Sequence, residues 1–424
     1  VPIFHFFITK LQQCEIIRLI VQVYKHLNNI DVAWKWRFYP TLFRIIHDLT
    51  IPLHERVCKN CQILLNQGVH IGDFYLAQSL LLQNQLDKAE YHITRFLHHY
   101  PTHSDGVYLL AEIKRRTQQK QVAFELLKNI LTHNKRGKTW QHLSNLVDDS
   151  SDFEQFYHLF TQAHPHHNQQ ALAYDLACHL SNAAVRAQNT QFALSFWRTQ
   201  YRLSQGKPKL QAAKPPITRQ YNDKKAAKAL GDLKDYFDQR HITFFLISGT
   251  LLGCIREGKL LKHDKDIDIG VWDNHSVEDL ANIIHNSGCF HVLPIYSNDI
   301  LVIRHVNGVT IDIFIHYRQA DDYWHASGKS QWHNSPFELH TYSFLNREYL
   351  IPANYDLYLT ENYGDWHTPQ LSFDSTLDTP NMTIISEPEF LIYLYKKMTF
   401  AVHSGKKPSE RHLNVLRQHG EFLD

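Results

Sequence analysis

Near residue 206 this 424-residue chain changes character. Up to that point glycine is scarce and apolar residues recur at helical spacing, so the first half reads as packed amphipathic helices. From residue 221 onward, short runs of branched and aromatic residues alternate with helical stretches and glycine-marked turns, a mixed α/β pattern. Between the two lies "GKPKLQAAKPPITRQ", residues 206–220, with Pro208, Pro215 and Pro216 beside Lys207, Lys209 and Lys214. Proline stops helices and favours extended chain, so this stretch reads as a linker. The expected layout is 1–205 α-helical, 206–220 linker and 221–424 α/β.

The helical part repeats. "FYLAQSLLLQNQLDKAEYHITRFLHHYP" lies over "YLLAEIKRRTQQKQVAFELLKNILTHN", pairing Ala77 with Ala111, Ala89 with Ala123 and Leu97 with Leu131, each at an offset of 34 residues. That is the tetratricopeptide period, with small residues where paired helices pack closely. A degraded further unit is expected in "AVRAQNTQFALSFWRTQYRL". Arrays of this kind build concave surfaces for protein partners, and no chemistry is visible in this one.

Composition narrows the function classes. The formal net charge of +2 gives no general affinity for nucleic acid. No run of eighteen apolar residues is present, so no transmembrane helix is expected. The opening "VPIFHFFITKLQQCEIIRLIV" is broken by Lys10, Gln12, Gln13 and Glu15 and lacks a signal-peptide layout. Six cysteines form no dense framework, which fits a reducing compartment. Cys58 and Cys61 make one CxxC with His54 a turn earlier, but a second ligand pair is missing and the flanking residues read as a helix face.

The α/β part carries the chemistry. "ITFFLIS" reads as a strand, and "GTLLGCIREG" then turns into a helix, with Gly249 allowing close backbone approach and Thr250 in the first turn. Free N–H groups and the partial positive charge of a helix start suit phosphate. "DKDIDIGVW" is a second strand, in which Asp266 and Asp268 share a face while Ile267 and Ile269 point the other way. "DILVIRHV" and "VTIDIFIHY" are strands joined at Asn307-Gly308, a strong hairpin signal. In the second of them Asp312 stands between Ile311 and Ile313. If these strands are neighbours, three carboxylates converge near the Gly249-Thr250 turn, an arrangement that calls for a cation. Oxygen ligands select Mg²⁺ or Mn²⁺. A divalent-metal site beside a phosphate cradle points to transfer of a phosphate-containing group.

The segment "ISGTLLGCIREGKLLKHDKDIDIGVW" resembles the signature of the LicD family of phosphotransferases, which includes the fukutin-related proteins. The likeness rests on Gly249, Thr250, Leu251, Leu252 and Gly253, then Arg256, then a strand with Asp264, Asp266 and Asp268. A second landmark follows at Ile351, Pro352, Tyr358, Leu359, Tyr363, Gly364, Asp365, Trp366 and Pro369. One departure is His263, where the family usually has tryptophan. The resemblance implies a nucleotidyltransferase-like fold with a mixed sheet and a CDP-linked donor. Phosphocholine or an alditol phosphate would pass to a glycan hydroxyl with release of CMP. It also implies Asp266, Asp268 and Asp312 as metal ligands, Asp312 helping to deprotonate the acceptor. Gly249, Thr250, Arg256 and Asp264 would meet the donor phosphates, and Tyr363, Asp365 and Trp366 would line the pocket.

The expected protein is therefore a metal-dependent phosphotransferase domain behind a helical repeat domain. Its acceptor would be a bacterial surface glycan or lipid-linked precursor, met at the cytoplasmic face with at most peripheral membrane contact. Two rival readings stand beside it. One is a nucleotidyltransferase that adds NMP from an NTP to a small molecule. The other is a scaffold with a decayed transferase domain, against which the intact Asp266, Asp268 and Asp312 set argues.

Overall fold

The computed structural model describes residues 15–28, 35–205, 223–261, 264, 266–370 and 373–421. The expected linker at 206–220, and His263, lie outside the described residues. Eleven α-helices precede residue 206 among the described residues. They are α1 (Glu15–Asn28), α2 (Tyr39–Thr50), α3 (His54–Leu65), α4 (Ile71–Leu82), α5 (Leu86–His99), α6 (Ser104–Arg116), α7 (Lys120–Leu131), α8 (Gly137–Ser144), α9 (Ser150–Ala163), α10 (Tyr174–Arg186) and α11 (Thr190–Gln205). The rest mixes both element types: α12 (Asp223–Asp238), β1 (Phe244–Leu246), α13 (Ser248–Glu257), β2 (Asp266–Trp272), α14 (Val277–His285), β3 (Phe290–Val292), β4 (Ile300–His305), β5 (Thr310–Gln319), β6 (Asp322–Ser327), β7 (Ser330–Asn334), β8 (Leu339–Phe344), β9 (Arg347–Pro352), α15 (Tyr355–Tyr363), β10 (Met382–Ile384), α16 (Glu387–His403) and α17 (Glu410–Gln418). An α-helical region followed by an α/β region with a mixed sheet is what the sequence pattern implied.

The chain forms two compact units, and they do not divide at 206–220. The first comprises Val1–Lys135, Ile283–His291 and His305–Gly308; the second comprises Arg136–Asn282, Val292–Arg304 and Val309–Asp424. The second therefore includes α8 to α11, because the aromatic face of α11 is covered within it. Trp197 is fully buried, Tyr201 packs on Tyr395 of α16 at 5.8 Å between ring centroids, and Arg198 forms a two-nitrogen ion pair with Glu421.

In the first unit, α4 with α5 and α6 with α7 occupy equivalent places. Ala77, Ala89, Ala111 and Ala123 are all buried, which lets the paired helices approach closely. Both pairs turn through a left-handed residue, Asn84 at φ 57° and Gln118 at φ 60°. Each turn is closed by the next N–H, Gln85 to Leu80 O at 2.9 Å and Gln119 to Lys114 O at 2.8 Å. Such a cap satisfies carbonyls left open at the end of a helix. The same turn recurs in the second unit at Gln188, φ 58°, with Asn189 N–H to Ala184 O at 2.8 Å.

Segment 283–291 is tied into the first unit by polar contacts. The Nε2–H of His54 donates to Gly288 O at 2.6 Å, and its Nδ1 accepts from the Ser79 hydroxyl at 2.7 Å. The Gly288 N–H reaches Leu82 O at 3.1 Å, and Asn84 donates to Asn286 Oδ1 at 3.0 Å.

The sheet runs in the order β10-β7-β6-β5-β2-β1-β9-β8, with β4 also on β5 and β3 on β4. β2 pairs parallel to β5, and β1 antiparallel to β2. β4 pairs with β5 from Thr310 to Phe314, while β6 pairs with it from His316 to Gln319. The two therefore share one edge of β5, and the tip of the β6–β7 hairpin must leave β5 beyond His325. Among the described residues no helix is long and apolar enough to cross a membrane.

Candidate active site

The parallel register of β2 and β5 sets Asp268 directly beside Asp312, and Asp266 beside Thr310. Ile267, Ile269, Ile311 and Ile313 alternate with them and are completely buried, so the carboxylates are held on the opposite face by the core behind them. The expected neighbourhood of the two aspartate strands is thus realised in the backbone.

Helix α13 supplies the next layer. A Cβ built on Gly249 would lie 2.4 Å from Asp264 Oδ2 and 3.5 Å from Asp268 Oδ2, so only glycine lets these carboxylates stand so close to the helix start. The Asp268 carboxylate accepts the Gly249 backbone N–H. Thr250 is placed differently from expectation. It is fully buried, and its hydroxyl accepts the Asp268 backbone N–H at 2.8 Å. It fastens α13 to β2 instead of facing the cleft.

Crowding shows in the electrostatics. Burial first, then the neighbouring Asp266, Asp264 and Asp312, raise the Asp268 pKa well above the ordinary carboxylate range. Burial, then Asp266 and Asp264, push Asp312 up to about 7. A divalent cation would reverse both shifts by stabilising the charged forms. The donor set suits one: the oxygens are hard, and Asp312 Oδ1 is buried with no hydrogen-bond partner among the described residues. No three His, Cys, Asp or Glu side chains among the described residues form a ready-made metal cage.

These residues line a cleft of about 540 Å³ that also takes in Ser248, Gly249, Arg256 and Asp264. The second landmark forms another part of its wall: Tyr363, Asp365 and Trp366 all border it. Arg256 joins the two landmarks, its Nη1 donating to Trp366 O at 3.0 Å. Gly364 caps α15 at φ 64°, a left-handed position that glycine adopts freely and that turns the chain toward the cleft. Burial, followed by Asp268 and Asp264, raises the Tyr363 pKa, so its hydroxyl stays protonated beside the carboxylates.

Several lining residues escaped the sequence reading. Phe314 follows Asp312 on the same face of β5, a position that period-two alternation does identify. His325, Ser327, Lys329 and Trp332 come from the β6–β7 hairpin. "HASGKSQWH" is legible as a tight turn between strands, but nothing local says that its tip borders the carboxylates. His316 and His325 stack at 4.4 Å, and His325 and Trp332 at 5.2 Å; burial holds both histidines neutral. The CxxC is no site: Cys61 is buried in α3, and His54 is committed to Ser79 and Gly288.

Residues 241–354 match the family model described as LicD/FKTN/FKRP, nucleotidyltransferase domain. The ribitol-5-phosphate transferase FKTN of Mus musculus is 29% identical over 185 residues, covering 40% of this chain and 39% of the mouse protein. The Homo sapiens protein of the same name is 26% identical over 169 residues, covering 36% of this chain and 37% of its own length. The chain thus spans about two-fifths of these curated relatives. The matched segment holds Gly249, Arg256, Asp264, Asp266, Asp268 and Asp312 but ends before Tyr363. Residues 241–354 are thus similar to the LicD/FKTN/FKRP nucleotidyltransferase domain, and the carboxylate strands lie within that stretch.

Proposed function

We propose that the chain transfers an alditol phosphate or phosphocholine from a CDP-linked donor to a hydroxyl of a cell-surface glycan or its lipid-linked precursor. The observation that carries this reading is the pairing of Asp268 with Asp312 on adjacent parallel strands, in a cleft whose floor is the glycine-marked start of α13. The relatives named as ribitol-5-phosphate transferases favour an alditol phosphate over phosphocholine.

Asp266, Asp268 and Asp312 would hold Mg²⁺ or Mn²⁺ together with donor phosphate oxygens. When bound, the ion would supply charge neutralisation on the diphosphate and polarise the phosphorus under attack. The acceptor hydroxyl oxygen forms the new bond to the transferred phosphorus, the bond to the CMP oxygen breaks, and CMP leaves. Asp312 in its charged form takes the hydroxyl proton. The Gly249 amide and the buried Thr250 hydroxyl hold Asp268 and its strand in place. Arg256 and Asp264 position the donor side, and Tyr363, Asp365 and Trp366 border the space left for the rest of the donor or the acceptor. The helical repeats of the first unit would serve as a docking surface for a protein partner.

The test is product analysis by mass spectrometry with a panel of CDP-donors, NTPs and candidate glycans. CMP release with a phosphate-linked adduct on the glycan is expected, lost in chelator and reduced to a small residual in Asp268→Asn. Full turnover in excess chelator refutes the metal role. Pyrophosphate release from an NTP replaces the donor.

A further inference from the structure

The cleft that holds the carboxylates also holds a lysine that the reading above leaves without a task. Lys329 forms the tip of the β6–β7 hairpin with Gly328, and it lines the cleft. Because β4 occupies the first half of β5, the hairpin separates from β5 beyond His325, and its tip is fastened on the other side. The Lys329 carbonyl accepts the Ile385 N–H at 3.0 Å. A Cβ on Gly328 would come within 2.7 Å of Glu389 Oε2, so the turn sits hard against the start of α16.

The ammonium of Lys329 stands over the Tyr393 ring at 4.7 Å. The acids that influence it most are Asp374 and Glu389, and both have other partners. Asp374 is bound by Lys397 at 2.9 Å and His412 at 3.2 Å, and Glu389 is hydrogen-bonded to Ser386. No ion pair joins Lys329 to a carboxylate among the described residues. Lys396 and Lys397 add further positive potential nearby. One cleft is therefore lined both by the aspartates and by a lysine that, among the described residues, no ion pair joins to them. A ligand spanning them needs an anionic group for the lysine and a second one that can share a cation with the aspartates. A nucleoside diphosphate has both.

We propose that Lys329 is a donor-binding residue whose ammonium contacts a phosphate of a nucleoside diphosphate donor. The assignment rests on the cleft being the donor site. Its chemistry is a charge-assisted hydrogen bond from a hairpin tip that packing has already fixed, so little ordering is needed on binding.

The experiment is calorimetric binding of CDP, UDP, GDP and inorganic pyrophosphate to the full chain with Mg²⁺, for wild type, Lys329→Met and Lys329→Arg. Lys329→Met should weaken the preferred diphosphate about tenfold or more, and Lys329→Arg should restore most of the binding at an unchanged melting temperature. Lys329→Gln replaces the methionine variant if the latter melts early. Equal CDP binding by wild type and Lys329→Met overturns the inference and leaves the CDP-donor reading standing. Preference for UDP or GDP, lost in Lys329→Met, supports the lysine and overturns the CDP donor. No binding of any of these by wild type overturns both.

Discussion

In the proposed reaction Asp312 is the residue on which the chemistry would turn, because its environment pulls it in two directions. The register holds it beside Asp268 while burial and the neighbouring acids push its pKa to about 7. A bound cation would bring that carboxylate back to its charged form, able to serve as ligand and as proton acceptor. Asp312→Asn keeps the shape and removes both abilities. General-base catalysis contributes roughly 10²–10⁴-fold, so transfer should fall by at least about a hundredfold. Calorimetric binding of the CDP-donor with Mg²⁺ should fall less, since Asp266, Asp268 and the Gly249 amide remain. Near wild-type transfer would make Asp312 a bystander, and binding lost in step with rate would leave it a ligand only. At this scale the site was largely legible, because alternation along a strand states which side chains share a face. Thr250 was the exception. A hydroxyl in the first turn of a helix suits phosphate equally well on paper, and only the adjacent strand shows that its partner is the Asp268 N–H.

Among the elements, α11 decides the grouping of the chain. Its Trp197 is fully enclosed, with the Lys396 ammonium of α16 5.8 Å from its ring centroid and Tyr174 of α10 5.8 Å away. Trp197→Ala should destabilise the second unit by about 3–5 kcal/mol, the usual cost of emptying a large aromatic site in a core. The measurement is chemical denaturation followed by a probe in that unit. A loss under about 1 kcal/mol would mean that α11 is only loosely attached. The β6–β7 hairpin shows the opposite limit of local reading. Its turn is legible from "SGKS", yet its place at the cleft depends on β4 taking the adjoining edge of β5.

For the whole molecule, the consequence of the α11–α16 contact concerns where the chain can be cut. A fragment beginning at residue 221 would uncover the α16 face carrying Tyr395, which Tyr201 packs against. It would also leave Glu421, whose partner Arg198 is gone, in a half-made network with Tyr395. A fragment beginning at residue 136 keeps both contacts. The longer fragment should therefore be soluble and melt at least several degrees higher, as followed by circular dichroism. Equal melting temperatures would refute this division. Hydrophobic period and turn chemistry already determined the helical first part, the strands β1, β2, β4 and β5, and that Asp266, Asp268 and Asp312 lie on the face away from the buried isoleucines. Both are properties of neighbours along the chain, and they survive without knowledge of the fold. The tertiary structure alone decided that β2 lies parallel against β5, that Lys329 lines the same cleft as their carboxylates, and that α8 to α11 share a unit with the sheet. Each of these depends on which distant surfaces exclude water together, and local periodicity carries no record of partners far away in the chain.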